Sequence, residues 1–561
     1  MNQERRTERV SIRMISRTLR PSLARRFIGA SVVLAAGLLA GCGKREMAVD
    51  VATREGRFLM VTSADPQTLD PHVATGFPEY QVFIALFEGL MVMDPVTCEP
   101  RPGVAESWEI SPDGTVYTFR LRANARWSNG DAVTAEDFVY SARRILTPAL
   151  GAEYSSFLHY LKNGRAFNEG KLADPALLGV RAVDARTLEY TLEHPSSYFL
   201  SLLTHQAYMP VHRRTVEAAG KFDDRSSPWA KPGVFVGNGP FALVSWQTNQ
   251  RIVTRKNPHY HGVAGVRLNG VEFMPMESSD TGDRSYRAGQ VHVTDTLPMT
   301  RLAVYREAKR PDFISQTFLG TAFLNLNVDR APLTDPRVRR ALSLALDRQT
   351  IVDRVKRGNE VPARSFTPPG TAGFEPPPAP VYDPVEARRL LAEAGYPGGA
   401  GFPPIEGIYP TADTARTILE AMQQMWRREL GIEVRVTNLE WKVFLDTLSK
   451  RDYQIGFMSW IGDYIDPNTF LSVMRSTSGN NRTNWKSAVY DGLLDRADLT
   501  IERAARYALL GEAEKLLTTD QPIIPLWHLN RSYLLHPSVR GFTPNLLDLH
   551  SYTQIWLEPA K

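Results

Sequence analysis

The residues of this chain that could do chemistry do not fall into a familiar catalytic spacing. The sequence contains no Gly-x-Ser-x-Gly nucleophile turn, no His-Glu-x-x-His zinc motif, no phosphate-binding Gly-x-x-x-x-Gly-Lys loop and no Gly-x-Gly-x-x-Gly after a strand. Hydrolysis by these routes and nucleotide binding are therefore not indicated.

Two pairs of polar residues remain as candidates. His259 and His261 could contribute to a metal site, but two loop histidines without a third ligand are more typical of exposed positions. Asp463 and Asp466 could act as paired carboxylates, but Asp466 precedes Pro467 and is better placed to stabilise a turn. We therefore predict no metal, no cofactor and no catalytic residue.

Aromatic side chains near turns are a further feature of the second half of the chain. They are Trp426, Trp441, Trp460, Tyr464, Trp485 and Trp527. Aromatic side chains either fill a core or, beside a carboxylate, line a ligand cleft. The sequence by itself leaves both interpretations open.

The elements that must position these residues are a mixture of strands and helices. Alternating apolar residues predict strands at 57–62, 117–122, 188–192 and 432–436. Helical spacing and capping signals predict helices at 80–90, 134–145, 336–346, 386–393 and 414–430. No repeat of 20–50 residues is present, which excludes solenoids and propellers. The pattern favours an α/β protein with several lobes.

Length and charge narrow the class of protein. The chain has 561 residues, enough for two or three domains. Its pI of about 9.0 arises from the N-terminus, because residues 1–41 contain eight arginines and two glutamates. The remainder is close to neutral, and a near-neutral chain gives no support to nucleic-acid binding.

The N-terminal segment resembles an export signal. Arg25 and Arg26 precede an apolar stretch at 27–40, which is short for a transmembrane helix. It ends in Leu-Ala-Gly before Cys42, the arrangement of a bacterial lipoprotein processing site. We predict a signal peptide at 1–41 and a lipid on Cys42; the alternative is an ordinary signal peptide with an incidental cysteine. Cys98, the other cysteine, is predicted to be a buried small residue.

A longer series of motifs resembles the oligopeptide-binding protein family, the large receptors of peptide ABC importers. The resemblance runs from about residue 58 to residue 557. The motifs are Leu69-Asp70-Pro71-His72, Leu86-Phe87-Glu88-Gly89-Leu90, residues 102–108, Trp127-Ser128-Asn129-Gly130, residues 133–141, Asn238-Gly239-Pro240-Phe241, residues 337–342, 391–396 and 440–445.

The resemblance implies a type II-like periplasmic binding protein fold with three lobes and a ligand cleft between two of them. We expect a tether at 42–57, lobe I at 55–87, 212–319 and 531–561, lobe II at 88–211, and lobe III at 320–530. Lobes I and III would close on the ligand by a hinge motion.

The resemblance also implies how the amino end of a peptide is held. Asp463 matches the aspartate that pairs with the peptide ammonium group, and Tyr154 matches a tyrosine that contacts the same end. Every peptide has such a group, and a closed cleft strengthens a charge-assisted hydrogen bond.

Five further positions match contacts to the rest of a peptide. Trp460 and Trp441 match tryptophans that line side-chain pockets. Ser459 and Ile461 would offer backbone groups to an extended ligand, and Phe77 matches a lobe I segment that also pairs with it. A ligand bound as an added strand spends its directional contacts on main-chain groups, so its side chains can vary.

The chain departs from the family pattern at the carboxyl end of the ligand. Phe457 and Ala415 stand where relatives have a basic residue and a histidine that can hold the peptide carboxylate. A disulfide that some relatives have between the positions of Gly320 and Ile461 is absent. Peptide length and carboxyl-end recognition are therefore left open.

These expectations describe a monomeric, lipid-anchored, periplasmic or extracytoplasmic protein that captures peptides for an ABC importer permease, with ATP hydrolysed by other subunits. Alternatives are a receptor of the same fold for an opine, glycopeptide or metal chelate, a peptide-binding sensor or chaperone, and an extracytoplasmic hydrolase using Asp463. No motif places a second catalytic group beside Asp463, which disfavours the hydrolase.

Overall fold

Three β-sheets organise the part of the chain that the structure describes. The structure is a computed structural model, and it describes residues 46–559 apart from 197, 358–359, 380 and 501. The α/β class predicted from the sequence is confirmed.

The first sheet has four strands and includes the strand predicted at 57–62. Arg57–Thr62 pairs in parallel with Gly270–Pro275, and the sheet continues through Arg251–Lys256 to Phe241–Gln247. The α-helices around it are Ala48–Glu55, Phe77–Leu86, Arg213–Ala218, Ser279–Arg287 and Met299–Glu307.

The second sheet is antiparallel and comes from the middle of the first half of the chain. Its strands are Ala105–Ile110, Val116–Leu121, Val180–Asp184 and Thr187–Thr191. Helix Ala135–Leu146 packs beside it and begins with the predicted capping box, in which the Thr134 N–H donates to Asp137 Oδ2 at 2.8 Å. Shorter helices are Gly164–Asn168, Phe199–Leu202 and the 3₁₀ helix Glu153–Tyr160.

The third sheet has six strands and belongs to the second half. In spatial order they are Val361–Pro362, Ile523–Leu534, Phe313–Leu326, Ile455–Ile461, Ile405–Pro410 and Val434–Leu439. Its helices are Pro336–Leu344, Arg348–Thr350, the π-helical turn Ile351–Lys356, Pro384–Glu393, Asp413–Leu430, Trp441–Lys450, Asn468–Leu471, Ala488–Leu499 and Arg503–Asp520.

Two long strands connect the first and third sheets. Phe313–Leu326 and Ile523–Leu534 pair antiparallel, but their register shifts between Thr317 and Thr321. The lobe boundaries expected at 319/320 and 530/531 fall at or beside this irregularity.

A buried ion pair explains the Leu-Asp-Pro-His motif. Arg144 and Asp70 are almost completely buried and their side chains meet at 2.6 Å. Trp229 Nε1 donates to the same carboxylate at 3.1 Å. Burial opposes the charge of Asp70, but the charge and hydrogen bonds of Arg144, together with those of His72, outweigh burial and lower the pKa of that carboxyl. The motif therefore stabilises the fold through Asp70.

The tether predicted at 42–57 is wrong for its second half. Residues Ala48–Glu55 form a helix in which Val49 and Ala52 are fully buried, and the Val49 N–H donates to Gly289 O at 3.0 Å. The mostly polar composition of this segment gave no clear sign of the apolar face that Val49 and Ala52 form. Cys42 lies outside the described residues. Among the described residues, the structure contains no helix with the length and hydropathy of a membrane span.

Candidate functional site

Asp463 occupies a tight turn at the end of strand Ile455–Ile461. Gly462 N–H still donates to Leu319 O of the neighbouring strand at 2.7 Å, and the chain then turns away. The Asp463 N–H donates to Thr469 Oγ1 at 2.8 Å. The carbonyl of Thr469 accepts from Trp460 Nε1, also at 2.8 Å. One threonine thus fixes both the aspartate and the tryptophan that the sequence singled out.

The Asp463 carboxylate is only partly satisfied. Its side chain is 12% exposed, Oδ1 lies 3.5 Å from His205 Nε2, and Oδ2 is buried with no hydrogen-bond partner among the described residues. His205 Nδ1 accepts the Ala207 N–H at 3.2 Å, so in the neutral ring Nε2 carries the proton and faces Asp463. A buried acceptor without a partner is costly, which makes Oδ2 a place for a donor from a ligand.

Aromatic rings enclose His205 and therefore this carboxylate. The ring of Phe157 stacks on His205 at 4.4 Å, Tyr154 meets it edge-on at 4.5 Å, and Tyr80 lies 5.6 Å away. Burial, with the charge of Asp463 second, raises the pKa of Tyr154 well above its ordinary value, so its hydroxyl stays neutral. The structure thus brings Tyr154 and Asp463 together through His205.

The sequence does not indicate a role for His205 beside Asp463. It lies in an irregular stretch that matches no motif, and only the packing of residues 153–208 against the 463–469 turn places it beside Asp463. No signal in the sequence could have identified it.

The backbone of strand Ile455–Ile461 presents an open edge next to Asp463. Because Gly462 bonds to Leu319, the backbone groups of even-numbered residues face the neighbouring strand and those of Ser459 and Ile461 face the other way. On that side, strand Ile405–Pro410 reaches only Ile455 and Gly456. No strand of the described chain pairs with Ser459 or Ile461 there, so both can accept an added strand.

The other aromatic candidates lie on different elements of the structure. They are Trp460, Trp441 and Phe77. Trp460 is 8% exposed and faces a cavity of about 490 Å³. Trp441 begins helix Trp441–Lys450, is half-buried, and its Nε1 lacks a hydrogen-bond partner among the described residues. Phe77 begins helix Phe77–Leu86 and its ring packs edge-on against Phe318 at 5.8 Å.

Trp441 and Phe77 lie on segments that both contact residues 65–67. Lys442, next to Trp441, places Nζ 4.0 Å from Asp65 Oδ2 in the first-sheet region. Gln67, two residues after Asp65, donates its N–H to Glu79 in the first turn of the helix that begins at Phe77. Among the described residues, no hydrogen bond or ring contact joins either aromatic residue to Asp463, so they remain separate candidates.

The two residues that differ from the family pattern are apolar and buried. Phe457 is 9% exposed and its ring lies 5.9 Å from Trp527, while Ala415 is buried in helix Asp413–Leu430. Lys356 places its ammonium group 5.3 Å from the ring centre of Trp527. A cation therefore lies near Phe457, on a different element from the position expected, and it is paired with Glu360 at 2.9 Å.

The other polar candidates have structural partners. His261 pairs with Glu88 at 2.5 Å and is half-buried, contrary to the exposed position predicted for it, whereas His259 is exposed. Asp466 accepts from the Asn468 N–H at 2.9 Å and pairs with Arg506, which agrees with the predicted turn role. In the described part of the chain, no cluster of three or more His, Cys, Asp or Glu could hold a metal.

The chain is similar in sequence to known receptors over most of its length. The model of the bacterial extracellular solute-binding proteins, family 5, middle part, matches residues 99–482. The periplasmic oligopeptide-binding protein OppA of Salmonella typhimurium is 37% identical over 86% of this chain and 88% of its own. The periplasmic murein peptide-binding protein MppA of Escherichia coli is 35% identical over 85% and 89%.

Solved structures resemble the fold and distinguish two arrangements of it. The Escherichia coli murein tripeptide binding protein MppA matches with a TM-score of 0.85 at 34% identity, covering 89% of this chain and 98% of that one. Haemophilus influenzae OppA in complex with the peptide RPPGFSPFR also gives 0.85, at 31% identity, covering 90% and 99%. The unliganded open form of MppA gives only 0.63, at 34% identity and with 90% and 97% covered. Since identity and coverage are nearly the same, the lower score reports a different arrangement of similar parts.

Proposed function

The chain belongs to the bacterial extracellular solute-binding proteins, family 5, and we propose that it captures peptides outside the cytoplasm and delivers them to the permease of an ABC importer. The main support for a peptide ligand is the Asp463 carboxylate, one buried oxygen of which has no partner among the described residues. The relatives that match most of this chain are binding proteins, which supports capture without catalysis.

The amino terminus of a peptide fits this carboxylate in charge and in geometry. An ammonium group carries three donors, so it can supply Asp463 Oδ2 with the hydrogen bond that it lacks. Burial and the surrounding rings lower the local dielectric, which strengthens such a charge-assisted bond. A neutral ligand would leave the carboxylate without a counter-charge.

The open edge at Ser459 and Ile461 suits the main chain that follows an amino terminus. An extended peptide that starts at Asp463 would run along this edge and add a strand to the third sheet. Main-chain contacts of this kind are common to all sequences. We propose a receptor that selects for a free amino end and an extended backbone before it selects side chains.

Transport requires features beyond the binding site. We propose that Cys42 becomes the lipidated N-terminal residue after removal of residues 1–41, that the lobes of the first and third sheets close about the two connecting strands, and that the protein acts as a monomer. Energy for import would come from ATPase subunits that contact the permease and not this chain.

A double-mutant cycle tests the assignment of Asp463. Asp463→Asn preserves shape and removes the charge, while acetylation of the peptide amino end removes the opposite charge. Each change should weaken binding by roughly 2–5 kcal/mol, and the two together should cost far less than their sum, because the two groups contact each other directly. Isothermal titration of the four combinations measures the coupling.

A matched control and a contradicting outcome complete this test. Asp452→Asn changes a surface aspartate, 77% exposed and paired with Arg330, and should leave the affinity unchanged. Additive penalties in the Asp463 cycle would mean that this aspartate stabilises only its own turn and does not hold the amino group.

A further inference from the structure

Two tyrosines from the lobe of the second sheet form hydrogen bonds with the lobe of the third sheet. The Tyr198 hydroxyl donates to Asp498 Oδ1 at 2.6 Å, and the Tyr160 hydroxyl lies 2.9 Å from that of Tyr198. Asn468 Nδ2 donates to both hydroxyls, at 2.9 Å to Tyr160 and at 3.1 Å to Tyr198. We call these four residues the tyrosine latch, because their side chains join two lobes of the fold.

The tyrosine latch is shielded from water. Tyr198 and Asn468 are buried. The ring of Tyr198 stacks on that of Tyr464 at 5.8 Å, and the guanidinium carbon of Arg506 lies 4.7 Å from the centre of the Tyr198 ring. Loss of a hydrogen bond at such a site is costly, because water does not readily replace the missing partner.

The two latch residues of the third-sheet lobe are held in place by neighbours in their own lobe. Arg475 pairs with Asp498 Oδ2 at 2.6 Å, which leaves Oδ1 for Tyr198. The Asn468 N–H donates to Asp466 Oδ1 at 2.9 Å. The latch consists of side chains of this chain, so its hydrogen bonds need no ligand atom.

The second-sheet lobe is fixed to the first-sheet lobe by the buried ion pair of Arg144 and Asp70, in which Asp70 also accepts from Trp229. The third-sheet lobe is linked to the first by the two long strands with the shifted register. Opening at the proposed hinge would therefore carry Asn468 and Asp498 away from the two tyrosines. The present arrangement is similar to that of peptide-bound OppA and differs from that of open MppA.

Resting on the peptide capture and lobe closure proposed above, we propose that the tyrosine latch stabilises the closed receptor whatever the sequence of the peptide, and that Tyr160 and Tyr198 are positioning residues for capture. The latch forms only on closure, so it supplies part of the free energy that closure requires. Asp463 Oδ2, which lacks a partner among the described residues, opposes closure, so a ligand is still needed. The latch therefore changes the affinity for every peptide by a common factor.

Titration of a tyrosine variant tests this common factor. Tyr198→Phe keeps the ring and should weaken the binding of two tetrapeptides of unrelated sequence equally, by about tenfold, because Asp498 Oδ1 loses this donor in the closed form. Tyr490→Phe is the matched control. Its hydroxyl donates to Leu471 O at 2.7 Å within the third-sheet lobe, so its loss should lower the Tm and leave both affinities unchanged.

A disulfide across the same interface measures closure of the ligand-free protein. A Cβ added at Gly479 would lie 3.5 Å from Glu153 Cβ, within the range of about 3.5–4.5 Å that a disulfide spans. A protein with Glu153→Cys and Gly479→Cys, and with Cys42→Ser, should therefore oxidise only while it is closed. Adding Tyr198→Phe should slow this oxidation by about tenfold, because fewer molecules are closed, whereas adding Tyr490→Phe should not slow it.

Thermal unfolding shows which variants are folded, and Tyr160→Phe, which removes the other hydroxyl, provides a second variant. Equal oxidation rates with and without Tyr198→Phe would overturn this inference and leave peptide capture standing. A loss of affinity that differs between the two peptides would also overturn it, because Tyr198 would then contact the ligand itself. Binding of neither peptide by the unchanged protein would overturn the proposed function, while the oxidation rates would still decide whether the latch favours the closed form.

Discussion

Thr469 holds both Asp463 and Trp460 in place, through two separate groups. Its hydroxyl accepts from the Asp463 N–H and its carbonyl accepts from Trp460 Nε1. It is almost completely buried, so neither bond competes with bulk water. The position of Asp463 therefore depends on a side chain that need not touch the ligand.

Thr469→Val should weaken peptide binding by about tenfold, because the valine retains the shape and leaves the Asp463 N–H without an acceptor at a cost of about 1–3 kcal/mol. Thr469→Ser retains the hydroxyl and should bind nearly as well as the unchanged protein. Titration with a tetrapeptide distinguishes the two. Equal affinities for the valine and serine variants would show that the hydroxyl does not position Asp463.

Glu514 makes the stability of the protein depend on pH. It is fully buried and accepts from the Phe366 and Thr367 N–H groups and from the Thr367 hydroxyl. Burial raises its pKa from 4.5 to about 7 despite these bonds. The neutral acid is thus favoured in the folded state, so its contribution is complete below about pH 4.5 and is lost as the pH rises through about 7.

Glu514→Gln should therefore remove a loss of about 3 kcal/mol in the free energy of unfolding between pH 5 and pH 8. The amide imitates the neutral acid at every pH. Urea denaturation at the two pH values measures the difference, and Glu512→Gln, at an exposed position on the same helix, should leave the slope unchanged. A slope that persists in Glu514→Gln would assign the pH dependence to other groups.

Some residues of the candidate site could be proposed from the sequence, and others could not. A known family has equivalents of Asp463, Trp460 and Tyr154, so the sequence could indicate that these residues lie near one another. His205 and Thr469 meet Asp463 only through tertiary contacts, and neither residue type in its local context indicates such a role. Phe77 and Trp441 remain predictions, because no hydrogen bond or ring contact among the described residues links them to the carboxylate.

Secondary-structure elements were predictable wherever their ends have local chemical signals. Thr134 and Asp137 begin a helix as a capping box, and Asp335 with Pro336 begins another with the aspartate accepting from the Arg337 N–H at 2.8 Å. The helix expected at 80–90 instead spans Phe77–Leu86, since Pro78 suits its first turn. Strand order and the open edge at Ser459 and Ile461 depend on distant pairing and could not be predicted.

The open edge predicts an alternating effect of ligand N-methylation. Methyl groups on ligand amides that face Ser459 or Ile461 remove a donor to the edge and should weaken binding about tenfold each, whereas methyl groups on the intervening amides should have little effect. A series of peptides methylated at one amide at a time, measured by titration, gives the pattern. A uniform effect along the peptide would argue against strand addition.

At the scale of the whole molecule, the first and third sheets are linked by two long strands. Phe313–Leu326 and Ile523–Leu534 cross between the first and third sheets, and their pairing is interrupted beside Gly320. A Cβ at Gly320 would lie 2.6 Å from the Leu529 side chain and 2.9 Å from Trp460 O, so the strands approach closely there. We propose that a hinge at this crossing underlies the difference between the TM-score of 0.85 to one structure of MppA and that of 0.63 to its open form.

The anchor gives a prediction for the protein in the cell. If lipid on Cys42 holds the protein at the membrane, Cys42→Ser should move it from the membrane fraction to the soluble fraction without changing peptide affinity. Cys98→Ser changes the other cysteine, which is buried near Asn545, and should leave fractionation unchanged. Retention of Cys42→Ser at the membrane would reject the lipid anchor.

If Asp463 binds the peptide ammonium group as proposed, its Oδ2, which has no partner among the described residues, gives the empty and the occupied receptor different conformational preferences. Closing without a ligand encloses an acceptor that lacks a donor, at a cost of about 1–3 kcal/mol, whereas a bound ammonium group removes that cost. The closed shape then indicates that a ligand is bound. A permease that recognises only this shape would spend ATP on loaded receptors and ignore empty ones, so a single carboxylate oxygen would limit futile cycles of the transporter.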